Sequence, residues 1–313
     1  MSIHQYSRIT LLVNPKAGSG TGARVALLVE TAVRETLTHA TIEVVQSQSS
    51  AHVKELAEHS DADLILCVSG DGTLHDLAQA LMCRPAAERP AIATVPAGSG
   101  NDYARTLGVS LDPRKALASL DDWQEIRADV GRVDNGQEST YFLETLSFGV
   151  DAAVALNTET RRQASQSQGF RLYAGAAVDA ILHELVAHKA RYRIDDKCFE
   201  HDLVILAIQN GPTYGSGFLV APRARITDGV LDVYTARDIG RLKGLYYLSR
   251  MKGGKHERLK GFANYRARHI EVAFDEPVPI QCDGEKLEGR SFTIDVIPSA
   301  LEVLTVPDHK NAK

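Results

Sequence analysis

The sequence lacks the features that mark disulfide-stapled, metal-clustered or membrane-spanning proteins. Its four cysteines are scattered among 313 residues in no metal-binding or redox spacing, so we expect them to be reduced. The longest aliphatic run, residues 203–208, is far shorter than the ~20 residues that a membrane-spanning helix needs. The apolar stretch at the N-terminus is too short for a signal peptide. We therefore expect a cytoplasmic protein without a transmembrane segment.

Charge of one sign is not in excess either. The chain carries 35 Lys and Arg against 40 Asp and Glu, a formal net charge of −5. This balance argues against a surface built to bind nucleic acid, so we expect no nucleic-acid partner. A hydrophobic fraction of 44% is that of an ordinary globular protein, and the length favours two domains over one.

Several familiar catalytic motifs are incomplete. The Gly-x-Gly pairs of the sequence lack the third glycine of the dinucleotide-binding fingerprint, and none opens a P-loop. His188 comes one residue too late after His183 to complete a zinc-protease helix. These absences weaken the dehydrogenase, P-loop NTPase and zinc-protease interpretations.

The first 130 residues alternate short β-branched runs with helical patterns, which is typical of a parallel α/β sheet. Strands are predicted over residues 9–13, 42–45, 64–68 and 92–95, and helices over 24–37, 52–59 and 74–82. Turns rich in Gly, Pro, Ser and Asn follow the first, third and fourth strands. These turns should share the carboxyl edge of the sheet, where open α/β sheets bind ligands.

The remainder of the chain, from about Asp129, has short alternating strands that predict an antiparallel sandwich or barrel. They are predicted over residues 141–150, 190–194, 203–209, 231–234, 270–274 and 292–297. One long amphipathic helix over residues 170–185 interrupts them and is expected to cover the sheet.

Two of the glycine-rich turns have the chemistry of an anion site. In Ser69–Thr73 the glycines free backbone N–H groups, and a helix predicted from Leu74 adds the positive end of its dipole. Asp71 has no evident turn partner, so a hydrated Mg²⁺ is a natural neighbour. Pro96–Asp102 repeats this pattern one strand later. The alternative is a plain strand–turn–helix joint with an aspartate cap.

These motifs together resemble the diacylglycerol kinase catalytic domain family, which includes sphingosine, ceramide and bacterial lipid kinases. The resemblance covers nearly the whole chain and rests on six segments in family order: VNPKAGSG from Val13, SGDGTLHD from Ser69, VPAGSGNDYARTLG from Val95, SFGVDA from Ser147, GSGFLVAPRARITDGVLDV from Gly215 and CDGE from Cys282.

The fold that this resemblance implies is α/β plus β. It predicts an N-terminal NAD-kinase-like, nucleotide-binding α/β domain over residues 1–128. A C-terminal β-sandwich domain for the lipid substrate is predicted over residues 129–298, and residues 299–313 should return to the first domain.

The resemblance also implies roles for individual residues. Glu285 matches the general base that takes the proton from the lipid hydroxyl, and Asp71 is the second catalytic residue. Asp102, Arg105 and Asp129 match a charged network around the metal and phosphates. Asp228, with the backbone carbonyls of Arg225 and Val230, matches a structural Mg²⁺ site. ATP is placed against Asn14, Pro15, Lys16, Ala17, Gly18, Ser47, Gly70, Asp71, Gly72, Thr73, Leu74, His75, Asp76 and Ser99.

The sequence departs from the family pattern in two places, and two segments keep a second interpretation. Ser69 stands where many members have Gly, and His75-Asp76 replaces the more usual Asn-Glu. From the residues alone, Asp283–Glu285 is a hairpin turn, because Asp-Gly between strands is a strong turn signal. Thr227–Gly229 is likewise a turn signal, which is compatible with a structural cation.

The sequence therefore predicts an ATP-dependent, Mg²⁺-requiring lipid kinase. Sphingosine kinases use an Asp to meet the substrate amine at the position of Ala153, so a neutral lipid alcohol such as diacylglycerol is favoured over a sphingoid base or ceramide. An NAD kinase-like enzyme and a non-enzymatic lipid-binding protein are the alternatives. The latter would be expected to have lost Asp71 or Glu285, and both are present.

A basic segment from Arg241 to Arg268 suggests how such an enzyme reaches its substrate. It holds nine Lys and Arg against one acid, Glu257, a local balance of +8. The segment is predicted to contact an anionic membrane as a peripheral protein, its cations meeting the lipid headgroups while its interleaved apolar residues dip into the headgroup layer. The alternative is a solvated basic face whose apolar residues pack inward. Those apolar residues are Leu242, Leu245, Tyr246, Tyr247, Leu248 and Met251.

Overall fold

The computed structural model describes residues 2–164, 170–237 and 239–307. Two compact units divide the chain: Met1–Asp129 together with Ser299–Lys313, and Val130–Pro298.

The first unit is built on a parallel sheet. Its strands lie in the order β4, β3, β1, β2, and the end of the last strand of the chain lies beside β4, with Val303 opposite Ile92. Every residue of β3 and β4 is buried, as expected for strands covered on both faces. The predictions of these strands are confirmed. Their bounds are β1 Arg8–Val13, β2 Thr41–Gln46, β3 Leu64–Ser69 and β4 Ala91–Pro96.

Helices follow the strands of this unit. The helix after β3 begins at Asp71, three residues before the predicted start, because Gly70 takes an extended conformation and serves as its N-cap. Gly72 hid this start, since glycine disfavours helix interiors. The helices are α1 Ala17–Gly20, α2 Gly22–Thr36, α3 Ser50–His59, α4 Asp71–Cys83, α5 Asp102–Thr106 and α6 Pro113–Ala118, with 3₁₀ turns at Ile3–Gln5, Ala86–Glu88 and Leu120–Asp122.

The second unit is built on antiparallel strands. One path runs β14, β13, β7, β9, β8, β12, β15, with β10 also on β9, β11 on β10 and β6 on β5. The strand predicted over residues 141–150 is two strands, β6 and β7. The bounds are β5 Gln124–Asp134, β6 Ser139–Phe142, β7 Thr145–Gly149, β8 His188–Ile194, β9 Lys197–Gln209, β10 Leu231–Arg237, β11 Phe262–Ala267, β12 His269–Phe274, β13 Ile280–Cys282, β14 Glu285–Lys286 and β15 Ser291–Thr305.

Aromatic side chains fill the core of this second sheet. The Phe148 ring lies 5.4 Å from the Phe274 ring and 5.3 Å from the Phe292 ring, centroid to centroid. All three side chains belong to one buried cluster formed by strands that are distant in sequence. This cluster fixes how β7, β12 and β15 face one another, and therefore where the ends of β7 lie.

Helices pack beside this sheet. They are α7 Val150–Ala164, α8 Phe170–His183 and α9 Arg241–Met251. The predicted helix is confirmed as α8, whereas α7 and α9 were not predicted. The Gly244 backbone of α9 passes so close to α8 that a Cβ there would lie 3.0 Å from Ile181 Cγ2. Across the described ranges, we find no helix with the length and apolar character needed to span a membrane.

Candidate active site

The turns after β3 and β4 meet backbone to backbone at the carboxyl edge of the first sheet. A Cβ on Gly98 would lie 2.5 Å from the Gly70 Cα, and a Cβ on Gly70 would lie 2.9 Å from the Gly98 Cα. Any side chain larger than hydrogen would force the turns apart, so glycine is required at both positions. The structure thus brings together the two turns that the sequence singled out.

Asn101 closes the turn after β4. It adopts a left-handed backbone conformation with φ of 56°. Its Oδ1 accepts the Gly98 N–H at 2.9 Å, and its Nδ2 donates to the Gly98 carbonyl at 2.7 Å. Ser99 lies half-buried inside this closed turn. The side chain of Asn101 therefore sets the shape of the loop before any ligand arrives.

Asn14 ties the loop after β1 to the start of α4. Its Nδ2 donates to Thr73 Oγ1 at 3.1 Å, and its Oδ1 accepts the Lys16 N–H at 3.0 Å. Gly18 follows with φ of 55°, and a Cβ there would lie 2.4 Å from the Ala97 carbonyl oxygen. The Ser47 N–H donates to the Val13 carbonyl at 2.8 Å, which brings the end of β2 to the same edge.

The predicted nucleotide contacts differ in what they present at this edge. Lys16 is exposed, and apart from the backbone of α4 and the adjacent residues no described atom lies within 4 Å of where a Gly72 Cβ would be. Leu74 and His75 are buried, so a ligand at the edge would meet their backbone only. Asp76 accepts the Ser50 hydroxyl at 2.5 Å and is engaged with α3 instead.

Asp71 has a protein partner, contrary to the sequence-based expectation. Its Oδ1 accepts the Tyr103 N–H at 3.2 Å, which joins α4 to α5. On α5, buried Asp102 lies 3.8 Å from the Arg105 guanidinium. These three predicted charged residues therefore share one corner of the edge.

Asp129 has a separate structural bond. Its Oδ1 accepts the Ser299 N–H at 2.8 Å, where Ser299 takes a left-handed φ of 52°. Since Asp129 is buried, this bond fixes the point at which the chain returns to the first unit.

Carboxylate oxygens suit Mg²⁺, which is usually held by one or two carboxylates plus substrate phosphates. Asp71 offers such a donor at the edge. Over the described ranges, no three His, Cys, Asp or Glu side chains converge as a ready-made metal cage. The Asp71 carboxylate therefore fits a Mg²⁺ ion that binds together with the phosphates of a nucleotide.

The predicted structural site around Asp228 has a different chemistry. Arg266 pairs with Asp228 Oδ2, while the buried Oδ1 has no hydrogen-bond partner among the described residues. The Oδ2 of nearby Asp232 is orphaned in the same way, and burial raises the pKa of Asp232 to about 6. Orphaned carboxylate oxygens are donors that a hard cation takes, so Asp228 in its turn and Asp232 at the start of β10 fit such a cation.

Asp283–Glu285 is a tight hairpin turn. Asp283 and Gly284 have φ of 49° and 96°, the signature of a type I′ turn between β13 and β14. The Asp283 carboxylate accepts the N–H groups of Leu143, Glu144 and Thr145 at 2.7, 3.0 and 2.9 Å. The hairpin interpretation is therefore right, and the same turn presents Glu285 exposed at the start of β14.

An apolar cavity lies in the second unit among α7, α8, α9 and β9. Tyr247 and Met251 of the basic segment are buried and line it, so the prediction that they face a membrane is wrong. At about 60 Å³ it is smaller than the ~150 Å³ that holds benzene, so a long chain needs the helices to separate. Other lining residues are Val150, Val154, Tyr173, Ile181, Phe218 and Leu248.

Asp151 is the carboxyl in this cavity, and the sequence analysis missed it. It is 6% exposed, and burial raises its pKa to about 7, although the Tyr214 hydroxyl donates to Oδ2 at 2.8 Å. Its signal was an acid two residues after Gly149 in an otherwise apolar segment, which we treated only as a family motif. A carboxyl with such a pKa in an apolar cavity is a candidate for a functional role.

Both units match known protein families in sequence. Residues 8–133 match the diacylglycerol kinase catalytic domain, and residues 144–305 match the YegS C-terminal NAD kinase beta sandwich-like domain. The two matches follow the chain in the order that the fold requires.

Individual relatives agree with this match. “Probable lipid kinase YegS-like” of Pseudomonas aeruginosa is 34% identical over 235 residues, covering 75% of this chain and 74% of the relative. A “Diacylglycerol kinase” of Mycobacterium tuberculosis is 29% identical over 311 residues, 96% of each chain. A crystal structure of a diacylglycerol kinase from Bacillus anthracis str. Sterne has a TM-score of 0.75 at 18% identity, covering 97% of this chain and 98% of that one.

The α/β unit with glycine-rich turns at its sheet edge and the antiparallel second unit match the two domains of a kinase family. The chain belongs to the family of YegS-like and diacylglycerol kinase-like lipid kinases. The predicted fold class, an α/β domain followed by a β-sandwich-like domain, is confirmed.

We expect Asp151→Asn to stabilise the protein in a pH-dependent way. Because the pKa of Asp151 is raised from 3.8 to about 7, the folded state keeps a proton that the unfolded state loses between these values. Wild-type stability therefore falls as pH rises through this window, by at most roughly 4 kcal/mol. In urea melts, Asp151→Asn should gain stability relative to the wild type at pH 8 and much less at pH 5.

Asp134→Asn is the matched control for this experiment. Asp134 is half-buried, and its pKa is lowered by the Ser139 hydroxyl and the Gly136 N–H. Its titration therefore lies below pH 5, and its effect should be equal at both pH values. An equal effect of Asp151→Asn at pH 5 and 8 would contradict the assignment of a proton to that carboxyl.

Proposed function

We propose that the protein transfers the γ-phosphoryl group of ATP to the hydroxyl of a neutral lipid alcohol, most simply diacylglycerol. The first unit, with the boundaries 1–128 and 299–313 expected from the sequence, binds the nucleotide. The second, residues 129–298, binds the lipid. The observation that carries the proposal is the backbone contact of Gly70 and Gly98, which supports a glycine-walled anion site at this sheet edge.

The proposal that this unit binds a nucleotide rests on the backbone N–H groups at the start of α4 and on loops that are held in place by hydrogen bonds. The α4 N-terminus points its first N–H groups and its positive dipole end at this edge, where phosphates bind. Lys16 adds an exposed cation and Gly72 open space. Together these features suit a polyphosphate better than a neutral ligand. The full contact set proposed is Asn14 to Gly18, Ser47, Gly70 to Asp76, and Ser99.

In the proposed reaction, Glu285 accepts the proton of the lipid hydroxyl. The oxygen then forms a bond to the γ-phosphorus while the bond from that phosphorus to the β,γ-bridging oxygen breaks and ADP leaves. Phosphoryl transfer needs little covalent help from protein, so positioning and charge neutralisation suffice. We propose that a network of charged side chains surrounds the metal and the phosphates. Its members are Asp71, Asp102, Arg105 and Asp129.

We propose Mg²⁺ as the companion of ATP, held by the Asp71 carboxylate and the phosphates. When bound, it neutralises the charge that develops on the phosphoryl oxygens. A second, structural Mg²⁺ is proposed at Asp228 with the carbonyls of Arg225 and Val230, supported by the orphaned Asp228 Oδ1.

The acceptor proposal rests on the apolar cavity of the second unit. Its walls are almost wholly apolar, which suits the chemistry of an acyl chain that enters when the helices separate. Ala153 is buried and offers no charge to a sphingoid amine, so diacylglycerol is favoured over sphingosine or ceramide. Asp151 is the one observation that favours the sphingoid alternative, because its carboxylate would pair with an ammonium group.

We expect Glu285→Gln to lower turnover by about two to four decades, the usual contribution of a general base, while ATP still binds. The assay presents labelled ATP and Mg²⁺ with diacylglycerol, sphingosine, ceramide, phosphatidylglycerol and NAD. Glu288→Gln, which changes another exposed carboxylate of the same region, is the control. Transfer to NAD alone, or wild-type turnover in Glu285→Gln, would overturn the proposed reaction.

Gly72→Ala should separate folding from nucleotide binding. Alanine relieves the cost of glycine in the first turn of α4 and has open space there, so stability should rise by about 0.5 kcal/mol. The same methyl keeps a phosphate from the backbone, so ATP affinity should fall by about tenfold, or ~1.4 kcal/mol. Thermal melts and ATP titration measure the two effects.

Gly175→Ala is the matched control for the nucleotide site. Gly175 is also a helical glycine whose Cβ would meet no described atom within 4 Å beyond its own helix backbone and the adjacent residues, and it lies on α8 in the other unit. It should gain stability without changing ATP affinity. Unchanged ATP affinity in Gly72→Ala would place the nucleotide elsewhere.

We further propose that α8 and α9 contact an anionic membrane, as a peripheral association of a cytoplasmic protein. Leu242 is 86% exposed and Tyr246 50% exposed on α9, and Val178 and Leu182 are exposed on the adjacent α8. Arg241 and the other cations through Arg268 flank them. Each Lys or Arg near an anionic surface contributes ~1 kcal/mol, so several acting together give stable binding.

Lys252→Glu/Lys255→Glu should reduce binding to vesicles that contain anionic lipid. Both side chains are exposed, so reversal removes attraction without disturbing the core. Binding should rise with anionic lipid and fall with salt, and activity on detergent-dispersed lipid should be intact. Arg114→Glu/Lys115→Glu, on exposed α6, is the control. Equal binding by both double variants would make Arg241–Arg268 an ordinary surface.

A further inference from the structure

A buried hydrogen-bonded chain starts at the turn that carries Glu285. The Gly284 N–H donates to Gln281 Oε1 at 2.7 Å, and Gln281 Nε2 donates to Ser147 Oγ at 2.8 Å. Gln281 and Ser147 are opposite each other in the register of β13 and β7, and both are fully buried. The amide of Gln281 therefore connects the hairpin backbone to the neighbouring strand.

The chain continues from Ser147 towards the apolar cavity. Gly149, with φ of 94° and no room for a Cβ beside the Val204 carbonyl, turns β7 into α7. Asp151 therefore lies in the first turn of α7, four residues after Ser147 on β7. The Ser147 hydroxyl lowers the pKa of the Asp151 carboxyl, against the larger effect of burial, which raises it.

The link between Ser147 and Asp151 is the loose one. Asp151 Oδ1 is buried and makes no hydrogen bond within 3.5 Å to any described residue, whereas Oδ2 accepts from Tyr214. Gln281 already donates to Ser147 Oγ, so the Ser147 proton is the one left to close this gap. All donors then point the same way, from Gly284 through Gln281 and Ser147 to the carboxylate.

We propose that Gln281 and Ser147 are positioning residues that tie the Glu285 hairpin to the Asp151 carboxyl in the lipid cavity. A ligand group or charge change at Asp151 acts on the direction of the Ser147 hydroxyl. That direction decides whether Gln281 is held at both ends, and so how firmly Gly284 fixes its neighbour Glu285. This inference rests on Glu285 being the general base of the proposed function.

The geometry of the hairpin itself does not require the hydrogen bonds from Gly284 through Gln281 to Ser147. A type I′ turn closes by its own backbone bonds, and here Asp283 anchors it further on Leu143, Glu144 and Thr145. A buried glutamine costs free energy unless all its groups are satisfied, so its placement between the turn and Ser147 needs a reason. Control over the turn supplies that reason.

Three variants test the chain at different points. Gln281→Met removes both bonds, and Ser147→Ala removes the middle link while leaving the Gln281–Gly284 bond. Gln281→Glu keeps the shape: its protonated carboxyl accepts from Gly284 and donates to Ser147, and its ionised form cannot donate. Gln209→Met is the control, since Gln209 is fully buried on β9 and its amide donates to Thr145 Oγ1 instead.

We expect Gln281→Met and Ser147→Ala to lower kcat by about ten- to a hundredfold, the scale of a small misplacement, with KM for ATP unchanged. Gln281→Glu should match the wild type at pH 6 and lose kcat relative to it at pH 8. Amide hydrogen exchange over Asp283–Lys286 should accelerate in Gln281→Met and not in Gln209→Met.

Either of two results would overturn the proposal. One is wild-type kcat in folded Gln281→Met or Ser147→Ala, and the other is a loss no larger than that of Gln209→Met. If Gln281→Met does not fold, Ser147→Ala and the pH dependence of Gln281→Glu decide. If the wild type phosphorylates no lipid, the proposed function fails, and hydrogen exchange still reports whether Gln281 holds the hairpin.

Discussion

The contact between Gly70 and Gly98 is the constraint on which the first unit's site depends. Adjacent parallel strands lie about 4.8 Å apart, so turns that leave β3 and β4 at the same level must pass very close to each other. With hydrogen as the only side chain, they meet directly at one edge of the sheet. A Cβ at either position would open the edge and misplace Asp71 and Asn101 together.

The strands of the first unit could be predicted because their signals lie within a few consecutive residues. Short β-branched runs predicted β1, β3 and β4, and the glycine-rich turns after them predicted the edge of the sheet where they end. The helix α4 was predicted to start too late because Gly72 was taken for a turn residue. In the structure the N-cap is Gly70, and Gly72 lies within the helix. The partner of Asp71 could not be predicted, since Tyr103 lies 32 residues away in another helix.

The second unit was less predictable for a different physical reason. A short strand such as Ile280–Cys282 gains its stability from neighbours that are distant in sequence, so its own residues carry little signal. In α9 the apolar residues that looked available to a membrane are split: Tyr247 and Met251 face the cavity, and Leu242 and Tyr246 face outward. Only the packing of α9 on α8 decides which side each residue takes.

A common physical device links the two units, although their folds differ. Phosphoryl transfer is a reaction of positioning, so backbone groups near the reaction have to be fixed before substrate arrives. Asn14 and Asn101 do this at the first edge by bonding the backbone of Lys16 and Gly98.

In the second unit Asp283 and Gln281 play the same part. Asp283 accepts three backbone N–H groups at the end of β6 and start of β7, and Gln281 accepts the Gly284 N–H. Polar residues that a motif search would assign to catalysis are thus holding loops in place. Glu285 differs from them in being exposed, and exposure on a fixed turn is what its proposed role as general base requires.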